Sequence, residues 1–270
     1  MGLTPSSMRR RACLQAALAL AAGPSLGQPT SVWRSQFDRG LADWGALKHH
    51  WGLDNHRWMT DPSTAGQVLR VLIRAGSIDP ASMVRRSLPR SGTGFKADLI
   101  PGGSDAATLR YRVRFPHDFN FVRGGKLPGL YGGIGNSGGR IPHGDEGFSL
   151  RLMWRERGAG EVYAYLPGSK VYGTSYLRGA FRFVPGQWHS VSQHVRLNAP
   201  GQADGTVAID LDGRNVGTQT GLLFRQSDTL AVNGIFFDCF FGGNDDSWAA
   251  IADTYVEFAE FELHSPTVGR

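Results

Sequence analysis

The sequence predicts an all-β chain built of two packed, mostly antiparallel sheets, a sandwich or jelly roll. Three observations carry this. Apolar patterns of helical period are scarce. Glycine is frequent, with 37 residues in 270, and turn-forming residues punctuate the chain throughout. Between the turns, about ten short segments alternate apolar and polar side chains with the period of a strand, and strands of that number and length pack as two sheets.

The elements follow in order. Gln67 to Arg74 reads as a strand, and Ala107 to Phe115 as another, with Leu109, Tyr111, Val113 and Phe115 on one side and Arg110, Arg112 and Arg114 on the other. Phe148 to Trp154 and Glu161 to Leu166 come next, then Phe181 to Val184, Trp188 to Leu197, Thr206 to Leu211, Leu230 to Phe241 and Tyr255 to Leu263. Asp212-Gly213 after Leu211 is a hairpin signal. Antiparallel sheets commonly bury one face and wet the other, so a curved sheet with a polar concave face would form a groove for a linear polymer. The aromatic residues Trp33, Phe37, Trp44, Trp51 and Trp58 near the start read as packing for an extra strand.

The ends and the composition bound the rest. Arg9, Arg10 and Arg11 precede an apolar run from Ala12 to Ala22, and small residues follow to Gly27. This is the pattern of an export signal over 1–27. Arg10-Arg11 followed by Leu14 fits the twin-arginine route as well as general secretion. The run is too short to span a membrane, so no membrane association is expected after its removal. Residues 28–270 then form one domain, exported to the periplasm or the medium, and a monomer is expected. Removing three arginines from the 29 basic residues leaves 26 against 23 acidic ones. That excess is too small to argue for nucleic acid, but clustered cations would suit a polyanion. Once Cys13 leaves with the signal, Cys239 is alone and reads as a small buried hydrophobe.

Two neighbouring segments carry the most information. In Phe148-Ser149-Leu150-Arg151-Leu152-Met153-Trp154, alternation sends Phe148, Leu150, Leu152 and Trp154 to a core and Ser149 and Arg151 outward. In Glu161-Val162-Tyr163-Ala164-Tyr165-Leu166, Tyr163 and Tyr165 face outward. If residues 155–160 make the turn of a hairpin, a symmetric register sets Arg151 opposite Tyr163 and Ser149 opposite Tyr165, close enough to interact. A hydroxyl, a guanidinium and two phenols then share one patch, suited to gripping an acidic sugar and moving a proton. Upstream, Arg123-Gly124-Gly125-Lys126-Leu127-Pro128-Gly129-Leu130-Tyr131-Gly132-Gly133 reads as a tight glycine-rich turn that fixes a lysine, with a solvated basic loop as the plainer alternative.

The blocks Gly-Gly-Lys-Leu-Pro-Gly-Leu-Tyr-Gly-Gly at 124–133, Ser-Leu-Arg-Leu-Met-Trp-Arg at 149–155 and Val-Tyr-Ala-Tyr-Leu-Pro at 162–167 resemble those of secreted polysaccharide lyases related to the viral alginate lyase and the fungal glucuronan lyase. Arg196-Leu197-Asn198, Asp212-Gly213 and Phe241-Gly242-Gly243 followed by Trp248 are similar to the C-terminal half of that family. The resemblance spans about 65–263 and implies a β-jelly roll whose cleft is formed by Lys126, Ser149, Arg151, Tyr163 and Tyr165. It implies β-elimination on a uronate polymer, alginate or glucuronan. That reaction needs a cation on the carboxylate, for which the planar fork of Arg151 is suited. It also needs a base for the C5 proton and an acid for the leaving O4. Lys126, Tyr163 and Tyr165 are the candidates, with the choice among them left open. Ser149 suits orienting the substrate or Lys126. No cofactor is required, and no serine-histidine-acid set or metal-ligand spacing is present.

Secondary candidates surround these. Arg123, beside the lysine block, is a substrate-binding candidate. The polar loop 135–147 joins the lysine block to the serine strand, and its Arg140 and His143 are candidates to touch sugar. His194 shares parity with Arg196 and could reach the groove. Asn244, Asp245 and Asp246, with Asp238 and Asp253, offer oxygen ligands for a structural calcium ion, although without the spacing of a calcium loop. Two other functions compete. A glycoside hydrolase would need two carboxylates about 5 Å or 6.5–9.5 Å apart, which no outward strand face supplies. A non-catalytic carbohydrate-binding module would have no need for a lysine set opposite paired tyrosines.

Overall fold

A computed structural model describes residues 1–2 and 30–266. Apart from Met1 and Gly2, the expected export segment 1–27 lies outside the described residues, as does Cys13. Among the described residues there are fifteen strands: β1 (Thr30–Ser35), β2 (Lys48–Trp51), β3 (His56–Thr60), β4 (Gln67–Ile73), β5 (Thr93–Asp98), β6 (Ala106–Arg114), β7 (Gly124–Gly133), β8 (Gly147–Arg155), β9 (Gly160–Tyr165), β10 (Thr174–Tyr176), β11 (Trp188–Arg196), β12 (Gly205–Leu211), β13 (Arg214–Leu222), β14 (Val232–Phe241) and β15 (Thr254–Ser265). One short helix, α1 (Pro80–Arg85), starts where Asp79 accepts the N–H groups of Ala81 and Ser82.

The strands form two antiparallel sheets. One has eight strands in the order β13-β12-β11-β6-β15-β4-β3, with β1 paired to the far part of β15. The other has seven, in the order β10-β9-β8-β7-β14-β5-β2. This is the all-β, two-sheet jelly roll expected from the alternation. The inner faces meet in one apolar core that includes Leu69, Leu109, Val113, Leu150, Leu152, Trp154, Phe237, Phe258 and Phe261. Phe237 stacks on Phe95 with ring centres 4.8 Å apart, and Tyr111 stacks on Phe261 at 5.0 Å. Contacts of this kind add to plain area burial. Phe37 and Trp44 are fully buried in the same core, so the early aromatics pack as expected, while Trp58 is partly exposed.

Besides β5 and β10, which the alternation did not single out, three segments differ from the sequence reading. Phe181 to Val184 is not a strand. It makes one isolated bridge, Arg182 to Ala159, and buries Phe181 and Phe183. β13 went unseen because Gly217-Thr218-Gln219-Thr220 has no apolar alternation; it is an edge strand and mostly exposed. The third is the lysine block, which is a ten-residue strand in the middle of the seven-stranded sheet and not a turn. Its glycines answer to close approach. A Cβ at Gly125 would lie 2.1 Å from the Trp154 ring and 2.4 Å from the Phe240 carbonyl oxygen.

Candidate active site

The hairpin register is the expected one. β8 and β9 pair Arg151 with Tyr163, Ser149 with Tyr165 and Met153 with Glu161. Phe148, Leu150, Leu152 and Trp154 are fully buried on the core side, which fixes the opposite parity outward. A register shift between Leu127 and Gly129 places Lys126 opposite Met153 and Tyr131 opposite Ser149. On the other flank Lys126 lies opposite Phe240 of β14. In β14, Phe237 and Cys239 point into the core, so Asp238 points outward. Lys126, Arg151, Tyr163 and Tyr165 therefore share one face of one sheet.

Lys126 is the centre of the cluster. Its Nζ lies 2.8 Å from Sδ of Met153 and 3.7 Å from the centre of the Tyr163 ring. Burial, aided by the charges of Arg151 and Arg155, holds its pKa well below the ordinary lysine value of 10.5, against the pull of Glu161 and Asp238. Tyr163 goes the other way. Burial and the neighbouring Tyr165 push its phenol up to about 12, although Arg151 and Arg155 oppose this. An amine biased toward its neutral form thus sits against a phenol biased toward its protonated form, the arrangement expected of a base and an acid in one site.

Two buried ion pairs flank the amine. Arg151 Nη1 donates to Asp238 Oδ2 at 2.5 Å, with both side chains almost fully buried. Burial pushes the Asp238 carboxyl up, while Arg151 opposes the rise. Arg155 Nη2 donates to Glu161 Oε1 at 2.6 Å, and Glu161 has no exposed surface. The Nε atoms of Arg151 and Arg155 are buried without a protein partner. Both carboxylates are tied to arginines. Both were legible from parity, since Asp238 alternates with Phe237 and Cys239, and Glu161 with Val162. The sequence reading considered Asp238 only for calcium and passed over Glu161, Arg155 and Met153.

Ser149 reaches the expected face, but its hydroxyl donates to the Asn136 carbonyl at 2.6 Å and it has no exposed surface. It therefore ties down the 134–146 loop. Tyr165 has a related role, accepting the Gly139 N–H at 3.1 Å. Lys96, unnoticed in the sequence, donates to the carbonyls of Ile134 and Gly135. Burial brings Lys96 down to about 8, with Arg151 and Arg140 adding to the effect and Asp238 opposing it. Three face residues thus hold the loop that carries Arg140 and His143, both exposed.

Arg123 is exposed at the opposite end, where Nη1 donates to Ser247 Oγ at 2.7 Å and the guanidinium lies 5.0 Å above Trp248. Arg155 lies 5.6 Å from the same ring, which links this end to the Lys126 cluster. His194 is a correction. It lies on β11 in the other sheet, on the outward face, bonded to Thr108 at 3.0 Å and Asp210 at 2.7 Å. Its parity was read correctly, but its sheet was not, because alternation does not say which sheet a strand joins. The acidic residues considered for calcium do not converge. Asp238 binds Arg151, Asp245 accepts from Ser247, Asp246 pairs with Arg86 and Asp253 accepts the Ala75 N–H. Among the described residues no three His, Cys, Asp or Glu side chains come together.

The profile of the family described as polysaccharide lyase 14 matches residues 61–261. The chain belongs to the polysaccharide lyase 14 family. The resemblance carried by the lysine, serine and tyrosine blocks is therefore correct, and the chain is a polysaccharide lyase. Among solved structures, the marine PL-14 alginate lyase from Aplysia kurodai is 33% identical, with a TM-score of 0.76 over 88% of this chain and 100% of that one. The Chlorella virus alginate lyase vAL-1 is 20% identical, with a TM-score of 0.69 over 81% and 92% of the two chains. The endo-β-1,4-glucuronan lyase from Trichoderma reesei is 12% identical, with a TM-score of 0.60 over 87% and 96%. These last two show a shared fold. No curated protein sequence matches the chain.

Proposed function

We propose that this polysaccharide lyase is exported and depolymerises alginate or glucuronan by β-elimination, with Lys126 as the base and Tyr163 as the acid. The carrying observation is the Lys126 amine, buried 3.7 Å from the Tyr163 ring centre between two guanidiniums. Its lowered pKa favours the neutral form that takes the C5 proton; the raised pKa of Tyr163 keeps a proton for the leaving O4. Arg151 and Arg155 supply the positive charge that a developing carbanion beside a carboxylate requires. Their ties to Asp238 and Glu161 hold that charge in place. Exposed Arg123 with Trp248 at one end, and Arg140 with His143 at the other, suit neighbouring uronates of a polymer. Alginate is the first choice, because the Aplysia kurodai relative at 33% identity is named an alginate lyase. Export is supported by the arginine and apolar pattern of the first 27 residues.

The test is to incubate the purified protein with polymannuronate, polyguluronate and glucuronan and follow ultraviolet absorbance. Elimination gives an unsaturated, absorbing sugar end. New reducing ends without absorbance, or no products from any of the three polymers, would sink the proposal.

A further inference from the structure

Gln193 belongs to the eight-stranded sheet, yet its amide serves the other one. It sits on β11, points into the core and has no exposed surface. Its Oε1 accepts the Leu130 N–H at 2.8 Å, and its Nε2 donates to the Leu150 carbonyl at 2.8 Å. Leu130 and Leu150 are register partners in β7 and β8. On the neighbouring strand β6, Tyr111 donates its phenol to the Pro128 carbonyl at 3.2 Å. Both residues thus reach across the core to one spot.

That spot is the register shift between Leu127 and Gly129, where Pro128 is the extra residue. The shift decides where Lys126 points. Lys126 and Tyr131 are five residues apart, and unbroken alternation would send them to opposite faces. Instead they lie opposite Met153 and Ser149, both on the outer face. A slip of one residue moves a strand's side chains from one face to the other. A bulge disrupts the ladder, and proline offers no N–H to repair it. Inside a dry core the freed groups need partners. A primary amide can accept from one strand and donate to the other, which no aliphatic side chain can do.

We propose that Gln193 and Tyr111 are positioning residues that pin the Pro128 bulge and so hold Lys126 on the substrate face. The inference rests on Lys126 being the base of the proposed elimination. A merely structural role would lower the melting temperature and leave turnover per folded molecule alone. A positioning role lowers kcat with KM kept and changes the surroundings of the Lys126 amine.

The experiment compares Gln193→Leu, Gln193→Glu and Tyr111→Phe with the wild type on a polyuronate that the wild type cleaves. In parallel, the Lys126 titration is followed by NMR with 13C-labelled lysine. Gln193→Leu is expected to lose about 10²-fold in kcat with KM within about twofold, as small misplacements of reacting groups do. Tyr111→Phe keeps its ring against Phe261 and removes only the hydroxyl; a loss of about tenfold in kcat is expected. Both variants should displace the Lys126 titration. Gln193→Glu, which as a carboxylic acid can still accept and donate, should recover turnover relative to Gln193→Leu on the acid side. Wild-type kcat and an unmoved Lys126 titration in Tyr111→Phe, and in each Gln193 variant that folds, overturn the inference. If the wild type cleaves no polyuronate, the functional proposal fails by itself, and the Lys126 titration still decides this one.

Discussion

The Nζ of Lys126 lies 3.7 Å from the centre of the Tyr163 ring, with Sδ of Met153 at 2.8 Å. Little water reaches an amine so placed, and two guanidiniums bias it toward the neutral form. If its task is to accept a proton, a permanent cation in its place will not serve. Lys126→Arg is therefore expected to lose at least about 10²-fold in kcat, the lower range for a lost general base. Lys126→Ala should lose as much. Ultraviolet detection of unsaturated ends measures the loss, and circular dichroism checks that both variants fold. An arginine variant with wild-type turnover would reduce Lys126 to a source of charge.

The same burial sets a pH dependence with a definite sign. The lowered Lys126 pKa means that activity rises as pH climbs through that value and stays up beyond pH 10. It falls only as Tyr163 ionises near about 12, if the fold survives there. Stability follows the same proton. Between the folded value and the ordinary 10.5, the unfolded chain binds a proton that the folded chain does not, so the Lys126 contribution grows with pH across that window. Below the window the full penalty of burial remains. Lys126→Met should then be more stable than the wild type at acidic pH, with the advantage shrinking toward pH 10.5. Urea unfolding at several pH values measures this.

Tyr163 and Tyr165 have adjacent rings with centres 5.9 Å apart, yet their hydroxyls face different tasks. Tyr163→Phe keeps the ring over Lys126 and removes the proton, so kcat should fall by about 10²- to 10⁴-fold with KM little changed. Tyr165→Phe removes the acceptor for the Gly139 N–H and loosens the loop that carries Arg140, so KM should rise more than kcat falls. Steady-state kinetics on one polymer separates the two. Equal effects on kcat would mean that both phenols act in the chemistry.

The outward patch was legible because β8 and β9 alternate without interruption and a short turn joins them, so parity and register were both determined. The two-sheet fold was legible for the same reason. What alternation could not show was the bulge at Pro128, since a strand with one extra residue and five glycines reads as a turn. It also could not show which sheet a strand joins, which misplaced His194. Buried charges show a third limit. Parity puts Arg155, Glu161 and Asp238 on the outward face, but it does not show the ion pairs and the burial they find there.

The ion pair of Arg151 with Asp238 changes what an arginine variant should do. Were Arg151 a solvent-exposed cation, Arg151→Ala would lose activity and fold normally. With both side chains almost fully buried, Arg151→Ala strands a carboxylate in the sheet, at a cost of about 3–5 kcal/mol. For a chain of this size that is a fall of about 6–20 °C in melting temperature. Asp238→Asn should destabilise in the same direction by leaving the guanidinium uncompensated. The double variant Arg151→Met with Asp238→Leu removes both charges and should recover most of the stability while remaining inactive. Thermal melts beside the activity assay test this; a double variant no more stable than Arg151→Ala would refute the stranded-charge argument.

Arg123 and His194 were both candidates to touch the polymer, and the structure sends them to opposite sides. Arg123 lies 5.0 Å above Trp248 beside Arg155, in line with the Lys126 cluster and exposed to solvent. Arg123→Ala should therefore raise KM for long polymers several-fold with little change in kcat, the signature of lost uniform binding. Added salt should shrink the difference, because an exposed charge is screened. His194 bridges Thr108 and Asp210 on the outer face of the eight-stranded sheet, with the whole core between it and Lys126. His194→Ala should leave kcat and KM at wild-type values and cost at most the small stability of a surface hydrogen-bonded pair. Parallel kinetics of the two variants decides the assignment, and a KM rise in His194→Ala matching that of Arg123→Ala would place the polymer on the wrong sheet.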